Sequence, residues 1–186
     1  MPFTFKELTV MSSRITLLCV GVAVVAGSLS PLTAQAPNAL AARLQTLEDR
    51  DAIRALLVSY AHTLDTRDFD AFEQLWAKDA EFIGGGGNSA RGPKAIRDLL
   101  QELLKQNAAP VPGRDFHLVM NQTVDVTGDT ATGYSRGTWV VTSAEKRLEW
   151  SIITNYYDQF VREGGRWKFK RHQIGGTAPA ASSGSK

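Results

Sequence analysis

The hydrophobic pattern of this chain changes its period once, near Gly113, and that change limits the folds that the chain can adopt. Before this point, apolar residues recur every three or four positions, as on one face of a helix. After it, apolar and polar residues alternate, as on the two faces of a strand. Helices followed by consecutive strands predict an α+β domain, with the helices packed on one face of a mostly antiparallel sheet.

The first half of the chain predicts three helices and one short strand. The helices cover residues 39–64, 69–77 and 94–106, and the strand covers residues 80–83. Four glycines, Gly84–Gly87, follow this strand. We interpret them as a flexible loop and not as a phosphate-binding loop, because no Gly-Lys-Ser/Thr follows and the run opens no helix.

The second half predicts four long strands joined by hairpin turns. They cover residues 115–126, 130–143, 148–162 and 166–174. Strands of this length must twist and curve. Three helices packed on such a sheet enclose a cone-shaped cavity, which predicts a pocket for a small molecule.

The amino terminus carries the pattern of a secretory signal. An apolar run of 15 residues, Ile15–Leu29, follows Lys6 and Arg14 and precedes an Ala-x-Ala cleavage site at Ala34–Ala36. The run is short for a transmembrane helix, which requires about 20 apolar residues. We therefore expect export to the periplasm, with Met11 as an alternative start and no membrane segment in the mature form.

The domain boundaries follow from this signal and from the small-residue composition of the far end. We predict a signal peptide over 1–36, one folded domain over 37–174 and a disordered tail over 175–186. Cys19, the only cysteine, lies inside the predicted signal. The exported domain is therefore expected to contain neither a disulfide nor a cysteine nucleophile.

Composition and motifs argue against several other functions. The 21 basic and 19 acidic residues are well mixed and give a net charge of +2, so no basic patch predicts nucleic-acid binding. The sequence has no paired-histidine or Cys-x-x-Cys spacing and no Gly-x-Ser-x-Gly motif. We therefore predict no metal, no other cofactor and no serine nucleophile. General acid and base chemistry remains.

Asp65 and His117 are the first candidates for that chemistry. Asp65 ends the first predicted helix, where the macrodipole disfavours a negative charge, and an imidazole is a natural partner for it. His117 shares a strand face with Val119 and Asn121, and this mixed face suits a cavity lining. The alternatives are a solvated turn for Asp65, and a sheet edge or a satisfied buried pair for His117.

Tyr60 and the other histidines lie near these candidates in sequence or in pattern. Tyr60 precedes Asp65 by five residues, about 140° around a straight helix, so the two converge only if the helix ends or bends between them. His62 lies three residues before Asp65 and can compete for it. His172 is expected to face solvent, because it alternates with the apolar residues of the last strand.

Arg171 is the remaining candidate. By alternation it shares a face with Trp167 and Phe169, so we expect it to point into the interior. An inward arginine needs an anion or another acceptor, which a ligand could supply. The alternative is an ion pair with a structural carboxylate such as Asp158 or Glu149.

Longer stretches of the chain resemble SnoaL-like proteins of the NTF2-like superfamily. The resemblance begins in Leu47–Tyr60, Asp65–Asp68 and Phe72–Trp76. It continues in Gly92–Ile96, His117–Asn121, Val126–Ala131 and Tyr157–Trp167. It spans residues 39–174, which is the whole predicted domain.

The resemblance implies a cone of helices on a strongly curved sheet with a deep apolar pocket, in a homodimer or homotrimer. The chain is most similar to the bile-acid dehydratase and dehydrochlorinase branch, in which Asp65 and His117 match a His–Asp dyad. Tyr60 matches a position that holds tyrosine or lysine in that branch, and Arg171 falls near a pocket arginine. Further candidates for substrate binding are Asn121, Trp76, Trp139 and Tyr157.

These residues predict a cofactor-free lyase acting on a small apolar, steroid-like or aromatic molecule. His117 abstracts a carbon-bound proton, and Asp65 fixes its tautomer. Tyr60 donates a hydrogen bond to the leaving hydroxyl or a carbonyl oxygen, and Arg171 stabilises negative charge. Two alternatives remain. One is a periplasmic binding domain without turnover, and the other is a keto isomerase that uses Asp65 and Tyr60.

Overall fold

The computed structural model describes residues 35–106, 116–143 and 145–176. Nearly all of the predicted signal peptide and of the predicted tail lies outside these ranges. The helices are α1, Gln35–Asp65; α2, Phe69–Gln74; and α3, Pro93–Gln106. The strands are β1, Trp76–Ile83; β2, Ser89–Arg91; β3, Phe116–Thr127; β4, Thr130–Thr142; β5, Leu148–Glu163; and β6, Arg166–Ile174.

All six strands form one sheet in the order β2-β1-β6-β5-β4-β3. The β1–β6 pair is parallel, and the other four pairs are antiparallel. Helix α1 packs against both β3 and β6. This arrangement confirms the predicted α+β class with helices on a mostly antiparallel sheet.

Only the carboxyl-terminal half of α1 packs in the core. Ile53, Leu57 and Leu64 are almost fully buried. Leu40, Leu44 and Leu47 continue the same apolar stripe but remain 54–67% exposed. No helix of the described residues is long and apolar enough to cross a membrane.

Asp49 links the middle of α1 to the sheet through hydrogen bonds. Its Oδ1 accepts hydrogen bonds from Arg162 Nη2 at 2.6 Å and from Trp167 Nε1 at 3.1 Å. Burial by itself raises the pKa of Asp49, but hydrogen bonds from Arg162, Trp167 and Gln45 outweigh it and hold the pKa below its ordinary value. This buried carboxylate is therefore paired through Oδ1 with three donors.

The boundary between α2 and β1 differs from the prediction. Asp68 caps α2 as expected, because its side chain accepts from the Ala71 backbone N–H at 3.0 Å. The helix ends at Gln74, however, and β1 already begins at Trp76, which pairs with Phe169 of β6. Pairing along the sheet thus prevails over the helical pattern of these residues.

An extra residue in β6 decides which of its side chains face α1. Phe160 of β5 pairs with Phe169, and Gln159 pairs with Arg171, so Lys170 has no residue opposite it. A bulge of this kind reverses the alternation of side chains beyond it. His172 consequently faces the core, and Arg171 faces the other side of the sheet.

Candidate functional site

Asp65 and His117 meet where α1 ends against β3. His117 Nδ1 lies 2.6 Å from Asp65 Oδ1. The backbone N–H of His117 also donates to both carboxylate oxygens, at 3.0 and 3.1 Å. The carboxylate therefore fixes both the backbone and the ring of His117.

The backbone N–H and the ring Nδ1 of His117 explain how the Asp65 carboxylate is tolerated at this helix end. Asp65 is the last residue of α1, where the negative end of the macrodipole opposes its charge. Three hydrogen bonds from His117 compensate for that repulsion. His62, the alternative partner, is exposed on α1, and the structure pairs Asp65 with His117 instead.

The second ring nitrogen of His117, Nε2, is the atom through which this pair can react. An Nδ1–H that donates to Asp65 leaves Nε2 of His117 as the basic nitrogen. The hydrogen bonds within the described residues leave this nitrogen without a partner, and the His117 side chain keeps 13% of its exposure. Trp139 stacks on the imidazole with the planes 7° apart and the ring centroids at 5.8 Å. A partly exposed imidazole in this state can take up a proton from a ligand.

A second His–Asp pair lies deeper between α1 and the sheet. His172 Nδ1 of β6 is 2.6 Å from Asp158 Oδ1 of β5. The two side chains are 0% and 1% exposed, against 13% and 20% for His117 and Asp65. His172 Nε2 and Asp158 Oδ2 are buried and have no hydrogen-bond partner among the described residues.

Aromatic rings enclose the deep pair. The His172 ring lies 4.7 Å from Tyr60 and 4.8 Å from Tyr156, measured between centroids. Phe82 stacks on its face at 5.8 Å. Burial, and then the nearby Asp158 charge, raise the pKa of Tyr156 to about 12. Burial, followed by Tyr156 and Asp158, raises the pKa of Tyr60 well above its ordinary value.

Among the described residues, the contacts of Tyr60 and Arg171 are made with side chains other than Asp65 and His117. Tyr60 is 2% exposed and packs beside His172. This agrees with its spacing from Asp65, since residues five apart on a helix point in directions about 140° apart. The expected inward orientation of Arg171 is wrong, since the bulge at Lys170 moves it to the opposite face. There its guanidinium lies 3.3 Å from Glu81, a structural carboxylate other than those expected.

The other candidates for substrate binding lie in different surroundings. Trp139 stacks on His117, whereas Trp76 is buried in the core. Tyr157 contacts the ring of Tyr134, on the sheet face away from α1. Asn121 is exposed, with a φ of 52° at an irregularity between β3 and β4. Their predicted roles stay predictions.

Sequence reasoning missed His172 and Tyr156 as interior polar residues. Tyr156, Asp158 and Phe160 alternate along β5 and are all buried, so the alternation of that strand could have revealed Tyr156 and Asp158 as interior residues. No comparable signal reveals His172, because the bulge has no sequence mark. Among the described residues, no group of three His, Cys, Asp or Glu side chains is arranged to hold a metal ion.

Solved structures share this fold. An NTF2-like protein with a cystatin-like fold from Novosphingobium aromaticivorans is 28% identical, with a TM-score of 0.64, and the match covers 77% of this chain and 90% of that one. A putative aromatic ring hydroxylase from the same organism is 27% identical, with a TM-score of 0.58 and coverages of 72% and 92%. LinA is 22% identical, with a TM-score of 0.61 and coverages of 77% and 97%, which supports the fold alone.

No curated protein matches the chain. The family model described as SnoaL-like domain matches residues 45–173, which is most of the chain and nearly all of the described residues. The match agrees with the NTF2-like fold of the solved structures and confirms the predicted cone of helices on a curved sheet. The chain belongs to the SnoaL-like domain family.

Proposed function

We propose that the chain is a cofactor-free lyase of the dehydratase type, acting on a small apolar molecule of steroid-like or aromatic character. The observation that carries this proposal is the 2.6 Å contact between His117 Nδ1 and Asp65 Oδ1, which orients an imidazole with Nε2 available. The putative ring hydroxylase among the similar structures is compatible with an aromatic ligand.

In the proposed reaction His117 is the single base, and the Asp65 carboxylate orients it. His117 Nε2 takes a proton from a carbon next to the carbon that carries a hydroxyl group. The electron pair of that C–H bond forms a C=C bond, and the C–O bond breaks. The imidazolium returns its proton to the departing hydroxyl, which leaves as water and restores neutral His117. Asp65 stabilises the imidazolium while it exists.

Proton abstraction can be tested before the substrate is known. A panel of hydroxylated ketones and steroids is incubated with the protein in D₂O, and NMR follows the loss of carbon-bound protons and the formation of alkene. We expect Asp65→Asn and His117→Ala to lower the rate by about 10²- to 10⁴-fold, the range of general acid–base catalysis. His62→Ala is the matched control, because this exposed histidine is near Asp65 in sequence and should leave the rate unchanged.

The two alternatives give different results. A binding domain without turnover consumes no member of the panel, and its ligand affinity survives both substitutions. An isomerase that uses Asp65 as base and Tyr60 at the oxyanion needs these two side chains at one ligand. Tyr60 packs against His172 and not beside Asp65, so the geometry favours the lyase.

We further propose that the domain is exported to the periplasm and is free of the membrane once the signal is removed. Support comes from the apolar run Ile15–Leu29 with its preceding basic residues and the Ala-x-Ala site. Expression of the full chain followed by amino-terminal sequencing of the periplasmic fraction tests this. A mature chain that begins at Pro37 agrees with the proposal, whereas an uncut chain in the cytoplasm contradicts it.

A homodimer or homotrimer is also proposed. Leu148, Trp150, Ile152 and Ile153 form an apolar segment of β5 that is 57–62% exposed. Exposed apolar side chains in one contiguous segment are typical of an interface between proteins. Light scattering of the purified chain and of Trp150→Glu tests this, and a wild-type monomer contradicts it.

A further inference from the structure

Tyr156 is an interior tyrosine that the proposed mechanism does not use. Its ring packs against His172 at 4.8 Å, on the sheet face that α1 covers, and the residue is buried. Neighbouring Tyr157 alternates onto the opposite face, where it contacts Tyr134. Tyr156 therefore belongs to the same side of the sheet as Asp65 and His117.

Gly137 of β4 gives the Tyr156 phenol its position. A Cβ atom at residue 137 would overlap Cζ and the hydroxyl oxygen of Tyr156, so the hydroxyl end of the ring lies directly on this glycine. Gly137 has no left-handed φ, so the absence of a side chain is what matters here, and not unusual backbone freedom.

The pairing of the strands places this hydroxyl next to the His117 pair. Gly137 pairs with Val119 of β3, and two residues further along each strand His117 pairs with Trp139. Two residues of a strand span about 7 Å. The Tyr156 hydroxyl, which lies on Gly137, is thus about two residues along the sheet from the His117–Trp139 stack. A small ligand can bridge this separation.

The protonation state of Tyr156 suits a hydrogen-bond donor. Burial and the charge of Asp158 raise its pKa to about 12, so the phenol keeps its proton at neutral pH. Tyr60 is the other interior tyrosine, but its ring is packed among Phe72, Trp76 and Phe169 as well as His172. The contact with Gly137, which is two residues from Trp139 on β4, places the Tyr156 hydroxyl toward the His117–Trp139 stack.

We propose that the Tyr156 hydroxyl, seated on Gly137, donates a hydrogen bond to an oxygen atom of a ligand bound against His117. This inference rests on the proposed function for the position of the ligand and adds the group that recognises its oxygen. The deep His172–Asp158 pair then acts as the support that holds the Tyr156 ring in place. The ligand class is narrowed to compact apolar molecules with one carbonyl, phenolate or enolate oxygen.

The probe for this inference is p-nitrophenolate, an aromatic oxyanion whose visible absorption changes when its oxygen accepts a hydrogen bond. Titration into the full chain at a pH where the probe is ionised gives its affinity without any turnover. We expect Tyr156→Phe to weaken binding by about 10- to 100-fold, because a hydrogen bond to a charged group is lost. Gly137→Ala should weaken it in the same direction by displacing the phenol.

Tyr134→Phe is the matched control, since it removes a tyrosine hydroxyl from the opposite sheet face and should leave the affinity unchanged. Circular dichroism and the urea midpoint establish that each variant is folded. Tyr156→Phe preserves the ring and its packing, so it keeps the test valid even if Gly137→Ala does not fold.

The results separate this inference from the lyase proposal. Loss of affinity in Tyr156→Phe, with the same loss in a His117→Ala background, supports Tyr156 as the donor even if no turnover is found. Equal affinity of wild type and Tyr156→Phe overturns the inference even if the lyase activity is real. A wild-type chain that does not bind millimolar probe also overturns it.

Discussion

The two His–Asp pairs have the same 2.6 Å contact between Nδ1 and Oδ1, yet their surroundings differ. Asp65 and His117 keep partial exposure, and the His117 backbone N–H donates to both oxygens of the Asp65 carboxylate. Asp158 and His172 are sealed among aromatic rings, and one buried polar atom of each has no hydrogen-bond partner within the part of the chain that the structure describes. The comparison teaches that the contact alone does not identify a site, because a base must also be reachable by a ligand.

The largest expected difference between the pairs is in stability. His172→Ala leaves a buried carboxylate without its partner and opens a cavity, so we expect the free energy of unfolding to fall by about 3–5 kcal/mol. His117→Ala leaves Asp65 in contact with solvent and with the His117 backbone, so about 1 kcal/mol is expected. Urea unfolding followed by circular dichroism measures both. Equal losses would remove the distinction between the pairs.

A smaller difference is expected at alkaline pH. The folded-state pKa of Tyr156 is about 12, above the ordinary value of 10.0, so the unfolded chain loses this proton first as the pH rises. The stability contributed by the protonated phenol is complete below pH about 10 and is lost between about pH 10 and 12, by up to about 3 kcal/mol.

Tyr156→Phe removes this group, so its stability should decline less steeply than that of wild type across the same range. The raised pKa of Tyr60 acts in the same direction and remains in the variant. His117→Ala should keep the wild-type slope, because it alters only the partly exposed Asp65–His117 pair. Urea midpoints at several pH values provide the measurement, and parallel curves for wild type and Tyr156→Phe would contradict the prediction.

The smallest effect is expected at Arg171, whose side chain has hydrogen-bond and ion-pair partners outside both His–Asp pairs within the described residues. Its ion pair with Glu81 is partly exposed, so Arg171→Ala should cost less than about 1 kcal/mol of unfolding free energy. The rate of proton exchange from a substrate should be unchanged within a factor of about two. A loss of tenfold or more would place Arg171 in the site after all, and the orientation that the bulge gives it would need revision.

The sequence predicts most of the fold because local pattern and tertiary structure agree over most of the chain. The third helix and the four long strands are found within a residue or two of their expected bounds. The predicted α2–β1 boundary is wrong because Leu75 and Trp76 also fit a helical stripe. Only the pairing of Trp76 with β6 ends the helix and starts the strand. Element boundaries set by distant partners cannot be derived from neighbours in sequence.

The candidate site was predicted in part for a similar reason. The contact between Asp65 and His117 could be expected from a helix end that needs a partner and from a strand with a mixed face. The deep pair could not, because nothing in the sequence around Lys170 marks it as the bulge that turns His172 inward. Gly137 also gave no sign that it accommodates a tyrosine from the next strand.

The bulge at Lys170 also affects how insertions and deletions in β6 are interpreted. Loss of Lys170 would return the strand to simple alternation, with Phe169 and His172 on the interior face and Arg171 between them on the other face. Relatives that lack the extra residue can therefore keep a histidine opposite Asp158, one position earlier along β6. Comparisons of SnoaL-like sequences across this strand need to follow the side of the sheet on which a residue lies, and not its column number.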